Sequence, residues 1–339
     1  MKYLIKKFIK RSFLYKPSLQ IRELTKIFMH DSQSFPIKAI RNYVRSRKFP
    51  QINQSSLPSI IHVEVTNLCN AGCVMCPQSN MKRKAGNMED ALYKKIIDQC
   101  GSLDAVWPFM MGEPLMDRKL PERIAYAKGA GIKRVGIFTN GSLLNLDMAL
   151  KLLDCGIDHI TISFDALTEK TFKQIRPGLS FQDVTANILN LVKLRRQRKQ
   201  KLPFIAIEFV KMEKNNSEAD EFRKKWDKIV DAVYISDMVN WAGANQAKSA
   251  KQLSYKIRRP CYMLCRDMVI FVDGRVALCC YDYESSIFLG DANKQSLKEI
   301  WNSEKLTHIR DLHLRGEFEK IPICSECNAW KMLSAPWWW

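Results

Sequence analysis

The 339-residue chain is 46% hydrophobic, a share near the globular average that argues for a packed core and against disorder. No apolar run approaches the roughly 18 residues that would suggest a membrane span. The formal charge of +19 is uneven: residues 1–48 hold thirteen Lys and Arg against only Glu23 and Asp31.

The N-terminus reads as a basic helical extension over residues 1–58. Leu4, Ile5, Phe8, Ile9, Phe13 and Leu14 follow helical spacing among the Lys and Arg residues, which suits a helix lying on an anionic membrane surface. A solvated helix face is the alternative. Its apolar residues are too interrupted for a secretory signal, so a cytoplasmic protein is expected. Aromatic side chains are not interleaved as single-stranded nucleic acid binding favours, and no nucleic-acid partner is expected.

After Pro58 short apolar runs alternate with amphipathic stretches. The runs are 60–66, 104–111, 134–139, 158–164, 204–210 and 231–236, and the helical stretches lie near 89–100, 119–129, 146–155, 181–199 and 217–229. Six such units predict an α/β domain over 59–240, as an open doubly wound sheet or a partial (βα)6 TIM-like barrel. In both, chemistry belongs at the C-terminal strand ends. From 241 to 339 the alternation stops. A hairpin over 269–278, turning through Asp273-Gly274 as a two-residue loop, precedes helical sequence near 295–315 and a Cys324–Cys327 pair. Such a small domain carries little core, and a metal cluster would supply the missing stability. Nothing in the sequence accounts for Trp337, Trp338 and Trp339.

Eleven cysteines without a sign of export suit metal or iron–sulfur ligation better than disulfides. Cys69, Cys73 and Cys76 are spaced C-x3-C-x2-C directly after the first strand. Three thiolates on one loop can ligate three irons of a [4Fe–4S] cube and leave the fourth open. A zinc knuckle would need a fourth ligand nearby, and the nearest histidine, His62, lies back on the strand. Cys100 and Cys155, alone at helix ends, read as ordinary thiols.

The loop, with Met75 before its third cysteine, resembles that of the radical S-adenosylmethionine superfamily. Three further segments follow the family's order at strand ends. They are Gly112-Glu113 in MMGEP, where Met111 stands in place of the family's first Gly, Asn140 in FTNG, and Ser163 with Asp165 in SFDA. The resemblance implies that S-adenosyl-L-methionine chelates the open iron, with Glu113 near its amino group and Ser163 and Asp165 near its ribose. It also implies that a 5′-deoxyadenosyl radical abstracts a substrate hydrogen, and that a flavodoxin- or ferredoxin-like reductant supplies the electron.

The C-terminal segment resembles the SPASM/twitch extensions of these enzymes. Cys261, Cys279, Cys324 and Cys327 would hold one auxiliary [4Fe–4S] cluster, or zinc, since thiolate sets alone do not separate the two. Cys265 could replace Cys261, and Cys280 would face away from Cys279 on a strand. In the family such a cluster either takes an electron during oxidation of a sugar or aminocyclitol, or assists modification of a ribosomal peptide. The basic, helical start of the chain does not resemble a peptide-recognition domain, which favours a small polyhydroxylated or nucleotide-linked substrate. Arg176 is the one candidate contact for a substrate or cofactor carboxylate, against an exposed helix-end arginine. Glu208 could face the barrel interior, against a structural polar residue.

Overall fold

The computed structural model describes residues 57–330, apart from 102 and 246–257. The expected membrane-surface helix and the terminal tryptophans lie outside the described residues. Among the described residues no helix is long and apolar enough to cross a membrane.

Six strands, β1 (Ile60–Val63), β2 (Ala105–Trp107), β3 (Arg134–Thr139), β4 (His159–Ser163), β5 (Phe204–Lys211) and β6 (Ala232–Asp237), lie side by side in chain order. All are parallel. The main connecting helices are α1 (Asp90–Ile97), α2 (Leu120–Gly129), α3 (Leu146–Asp154), α4 (Glu169–Ile175), α5 (Phe181–Gln197) and α6 (Ala219–Trp226). This is the partial barrel the alternation predicts. Strand residues of one parity, such as Ile61, Val135, Ile137, Ile160, Ile162, Ile205 and Ile207, share a buried core with Ile96, Ile124, Leu152, Ile188 and Phe222 of the helices. Each such aliphatic side chain contributes about 1.5–3 kcal/mol. Residues of the other parity face the interior of the barrel, among them the register neighbours Ser163, Glu208 and Tyr234.

The helix α4 has no counterpart in the sequence expectation. It is seven residues long and buries only Phe172 and Ile175, too few positions to show a period. Thr168 caps it, accepting from the Thr171 amide, and it ends by delivering Arg176.

The C-terminal strands, β7 (Asp267–Ile270), β8 (Arg275–Ala277) and β9 (Phe288–Asp291), continue the same sheet. β7 pairs parallel with β1, and β8 and β9 follow antiparallel, giving among the described residues a nine-stranded sheet in the order 6-5-4-3-2-1-7-8-9. The hairpin turn differs from the two-residue loop expected. The Phe271 amide bonds to the Arg275 carbonyl and the Gly274 amide to the Phe271 carbonyl, so Val272, Asp273 and Gly274 form a three-residue loop. Gly274, at φ 88°, takes the left-handed position that closes such a loop. The helical stretch near 295–315 is two helices, α7 (Leu297–Trp301) and α8 (Glu304–Arg315), because Ser303 caps a new start by accepting from Leu306. A last short helix, α9 (Pro322–Glu326), carries Cys324. Since β1 lies between β2 and β7, the three-cysteine loop leaves the sheet beside the strand that begins the C-terminal hairpin.

Candidate active site

Cys69, Cys73 and Cys76 lie on the loop leaving β1, all partly buried. Backbone bonds tether that loop to the end of α4: the Val74 amide to the Ile175 carbonyl at 3.0 Å and the Gly72 amide to the Pro177 carbonyl at 3.3 Å. Burial is the main force pushing all three thiols up, Cys76 to about 12, and the three sulfurs also act on one another. Thiols so placed ionise when a positive group binds between them. Among the described residues no three Cys, His, Asp or Glu side chains converge on one point.

Gly112 is fixed by packing. A Cβ there would sit 2.5 Å from the Thr66 carbonyl oxygen, 2.6 Å from that of Leu68 and 2.8 Å from the Asn67 Cα. The Glu113 amide then donates to the Leu68 carbonyl at 2.8 Å, so this strand-end loop is clamped onto the cysteine loop. The Glu113 carboxylate is buried, and burial raises its pKa. Its Oε1 accepts from Thr139 Oγ1 and the Leu115 amide, and its Oε2 from the Asn140 amide at 2.7 Å. Of about four acceptor positions on a carboxylate, these three donors leave one. Asn140 Nδ2 reaches back to Asn70 Oδ1 at 2.9 Å, between Cys69 and Cys73.

On β4 and beyond, Ser163 is partly exposed and Asp165 fully buried. Asp165 accepts from Arg176 Nε at 2.8 Å and from the Val210 amide at 2.7 Å. Arg176 is therefore a buried residue, not an exposed helix-end one. Its guanidinium spans Asp165 and Cys73, with Nη1 3.3 Å from the Cys73 sulfur. Burial opposes that charge, but Asp165 and Cys73 more than offset it and hold the arginine protonated. One positive group thus bridges the segment expected at the ribose and the cysteine loop.

Glu64, Arg83 and His313 belong to the site architecture without having stood out in the sequence. Glu64 follows β1 and forms a two-pronged pair with Arg83 at 2.6 and 2.7 Å. Arg83 Nε donates to the Tyr283 carbonyl, and its guanidinium covers the Phe271 ring at 3.7 Å. Glu64 also accepts from the Met111 and Val272 amides. The available signal was a lone acid within an apolar strand run.

The second site is built between β8, α8 and α9. Cys261, Cys279, Cys324 and Cys327 line one cavity with Arg258, Leu278, His313 and Trp330. Burial raises the pKa of each thiol, with neighbouring sulfurs adding to the shift at Cys261, Cys279 and Cys324. Arg258 opposes the rise at Cys324 and Cys327, and its Nε is buried without a hydrogen-bond partner among the described residues. A ring of thiols with a cation beside them fits an anionic cluster. Cys265 is not among the lining residues. Cys280 is not among the lining residues either; it packs against the cluster of Val269, Phe271 and Ala277, close enough to the second site that its charge acts on Cys279 and those of Cys261 and Cys327 act on it. Cys100 is a core thiol bonded to the Ile96 carbonyl, and Cys155 bonds to that of Leu152.

Two family models match the chain. The radical SAM superfamily matches residues 63–205, and an iron–sulfur cluster-binding domain, SPASM, matches residues 261–328. The S-adenosyl-L-methionine-dependent 2-deoxy-scyllo-inosamine dehydrogenase of Niallia circulans is 25% identical over 80% of this chain and 92% of its own. A cofactor-modifying protein for tungsten-containing aldehyde ferredoxin oxidoreductase from Pyrococcus furiosus is 25% identical over 79% of this chain and 86% of its own. Among solved structures, BtrN with AdoMet and 2-DOIA superposes with a TM-score of 0.55 at 23% identity, covering 81% of this chain and 94% of that one. Streptococcus suis SuiB with its precursor peptide SuiA gives 0.62 at 13% identity, covering 91% and 80%. These two superpositions speak for the fold alone. The chain belongs to the radical SAM superfamily and is a radical SAM enzyme with a C-terminal SPASM-type domain, using S-adenosyl-L-methionine and [4Fe–4S] clusters.

Proposed function

We propose that the enzyme is a dehydrogenase that oxidises a carbinol of a polyhydroxylated small molecule, such as an aminocyclitol, a sugar or a nucleotide-linked compound, to a carbonyl. In this reading Cys69, Cys73 and Cys76 hold the first cluster, and Gly112, Glu113, Asn140, Ser163 and Asp165 surround S-adenosyl-L-methionine. Cys261, Cys279, Cys324 and Cys327 hold the auxiliary cluster. When bound there, the first cluster with S-adenosyl-L-methionine would supply the abstraction of one hydrogen atom from a substrate C–H.

Completing the oxidation removes one proton from the hydroxyl and one electron from the substrate. The observation that carries the reading is the carboxyl group available for that proton. Glu208 lies on β5 beside Ser163 of β4, partly open to the barrel interior, and accepts from Ser236 at 3.2 Å. Burial, with the charge of Asp165, pushes it up to about 7, against the opposing pull of Ser236 and Arg176. A carboxyl group near 7 is matched to accepting a proton at neutral pH. A cluster held by the four cysteines would supply the acceptor for the electron. The substrate class is supported by the Niallia circulans relative, similar along most of both chains.

The test is anaerobic incubation of the reconstituted enzyme with reductant, S-adenosyl-L-methionine and a panel of polyols that includes 2-deoxy-scyllo-inosamine. A polyol substrate should yield carbonyl and 5′-deoxyadenosine in equal amounts, with deuterium carried from the oxidised carbon into 5′-deoxyadenosine. Cofactor cleavage unchanged by every polyol, with no carbonyl formed, contradicts the reading.

A further inference from the structure

We infer that His313 is a positioning residue of the auxiliary centre: its Nε2–H donates to the Cys324 sulfur and raises that centre's reduction potential, making it a better electron acceptor. The use of that acceptor rests on the dehydrogenation reading. The tuning itself rests only on the four-cysteine site.

His313 lies on α8 and is fully buried. The backbone amide of Cys261 donates to its Nδ1 at 3.2 Å. An N–H pointing at Nδ1 leaves no room for a proton on that nitrogen. A neutral imidazole carries one ring proton, which must then sit on Nε2. Nε2 lies 3.4 Å from the Cys324 sulfur. With its proton there, Nε2 has no lone pair for a metal, and the Nδ1 lone pair is taken by Cys261. His313 is therefore a donor to the ligand set and not a member of it.

The ring cannot easily turn away. It is held at both nitrogens, and Phe318 meets it edge-on with centroids 5.0 Å apart. Arg258 stacks over Phe318 at 4.4 Å and lines the same cavity. Reduction of a thiolate-bound cluster adds negative charge, part of which resides on the cysteine sulfurs. A fixed donor and a nearby cation stabilise that reduced form more than the oxidised one. His313 also ties a ligand preceding β7 to one on α9, since its two nitrogens join Cys261 and Cys324.

The experiment is a potentiometric titration of the reconstituted full chain, followed by electron paramagnetic resonance, for the parent, His313→Leu and His313→Gln. The leucine should shift the auxiliary midpoint to more negative potential, with iron content held at about eight per chain. Glutamine, which can accept from Cys261 and donate to Cys324, should recover much of the shift. The midpoint of the first cluster should not move. An auxiliary midpoint unchanged in His313→Leu at full iron content overturns the inference. Loss of about four irons in both variants overturns it too, by making His313 a ligand or a scaffold residue. If the leucine variant does not fold, pulsed resonance on the parent decides: an exchangeable ring proton coupled to the reduced auxiliary cluster is required, and its absence overturns the inference. A shifted midpoint in an enzyme that oxidises no polyol would leave the tuning intact and sink only the dehydrogenase reading.

Discussion

Glu64 and Arg83 form a fully enclosed two-pronged ion pair, with Nη1–Oε2 at 2.6 Å and Nη2–Oε1 at 2.7 Å. The pair joins three parts of the site, because the Glu64 carboxylate also receives Met111 before Gly112 and Val272 of the auxiliary hairpin. Burial raises the Glu64 pKa in spite of Arg83, so the arginine is what keeps that carboxylate tolerable.

Arg83→Met should therefore cost about 3–5 kcal/mol, by leaving a buried carboxylate without its counter-charge. Chemical denaturation of the iron-free chain measures it. Adding Glu64→Gln to the same chain should recover part of the loss. A single variant as stable as the parent would show that the pair holds nothing together.

Gly112→Ala should displace the cysteine loop, since the added carbon meets three backbone atoms of residues 66–68 within 2.8 Å. A cost of about 1–3 kcal/mol and reduced iron uptake are expected. Gly86→Ala is the control, because a Cβ there meets nothing within 4 Å. Equal iron content in both variants would contradict the clamp.

Glu208 must be ionised to accept a proton, and its pKa is raised to about 7, so carbonyl formation should fall as pH drops through 7. Asp165 raises the same carboxyl group's pKa and Arg176 opposes it, while Tyr234 stands beside it; tyrosine and arginine do not titrate in that window. Glu208→Gln should lower carbonyl formation roughly 10²–10⁴-fold and abolish the acid limb. A variant that keeps both rate and limb would remove Glu208 from the chemistry.

Cys265→Ala and Cys280→Ala should each retain about eight irons, whereas Cys324→Ala should lose about four. The reason is position: Cys324 lines the cavity with Cys261, Cys279 and Cys327, whereas neither Cys265 nor Cys280 is among its lining residues. Iron and sulfide assays after anaerobic reconstitution distinguish these outcomes.

The six strands and five of the helices between them were legible because each alternates or repeats over enough residues to show its buried face. α4 was not, with two buried positions in seven residues. The C-x3-C-x2-C loop and the Cys324–Cys327 pair stood out because their cysteines lie close together in sequence. Arg83 and Glu64 are 19 residues apart, and His313 and Cys261 are 52 apart, so only the tertiary fold pairs them. Arg176 shows the limit from the other side. A helix-end arginine looks solvent-exposed in sequence, and its burial follows from Asp165 standing at the adjacent strand end.

The most direct measurement counts iron and 5′-deoxyadenosine in the parent and in a Cys69→Ala, Cys73→Ala, Cys76→Ala triple variant, reconstituted anaerobically and reduced with S-adenosyl-L-methionine present. The account predicts about eight irons and cofactor cleavage in the parent, and about four irons with no 5′-deoxyadenosine in the variant. Continued cleavage by the triple variant, or zinc in place of iron in the parent, would contradict it.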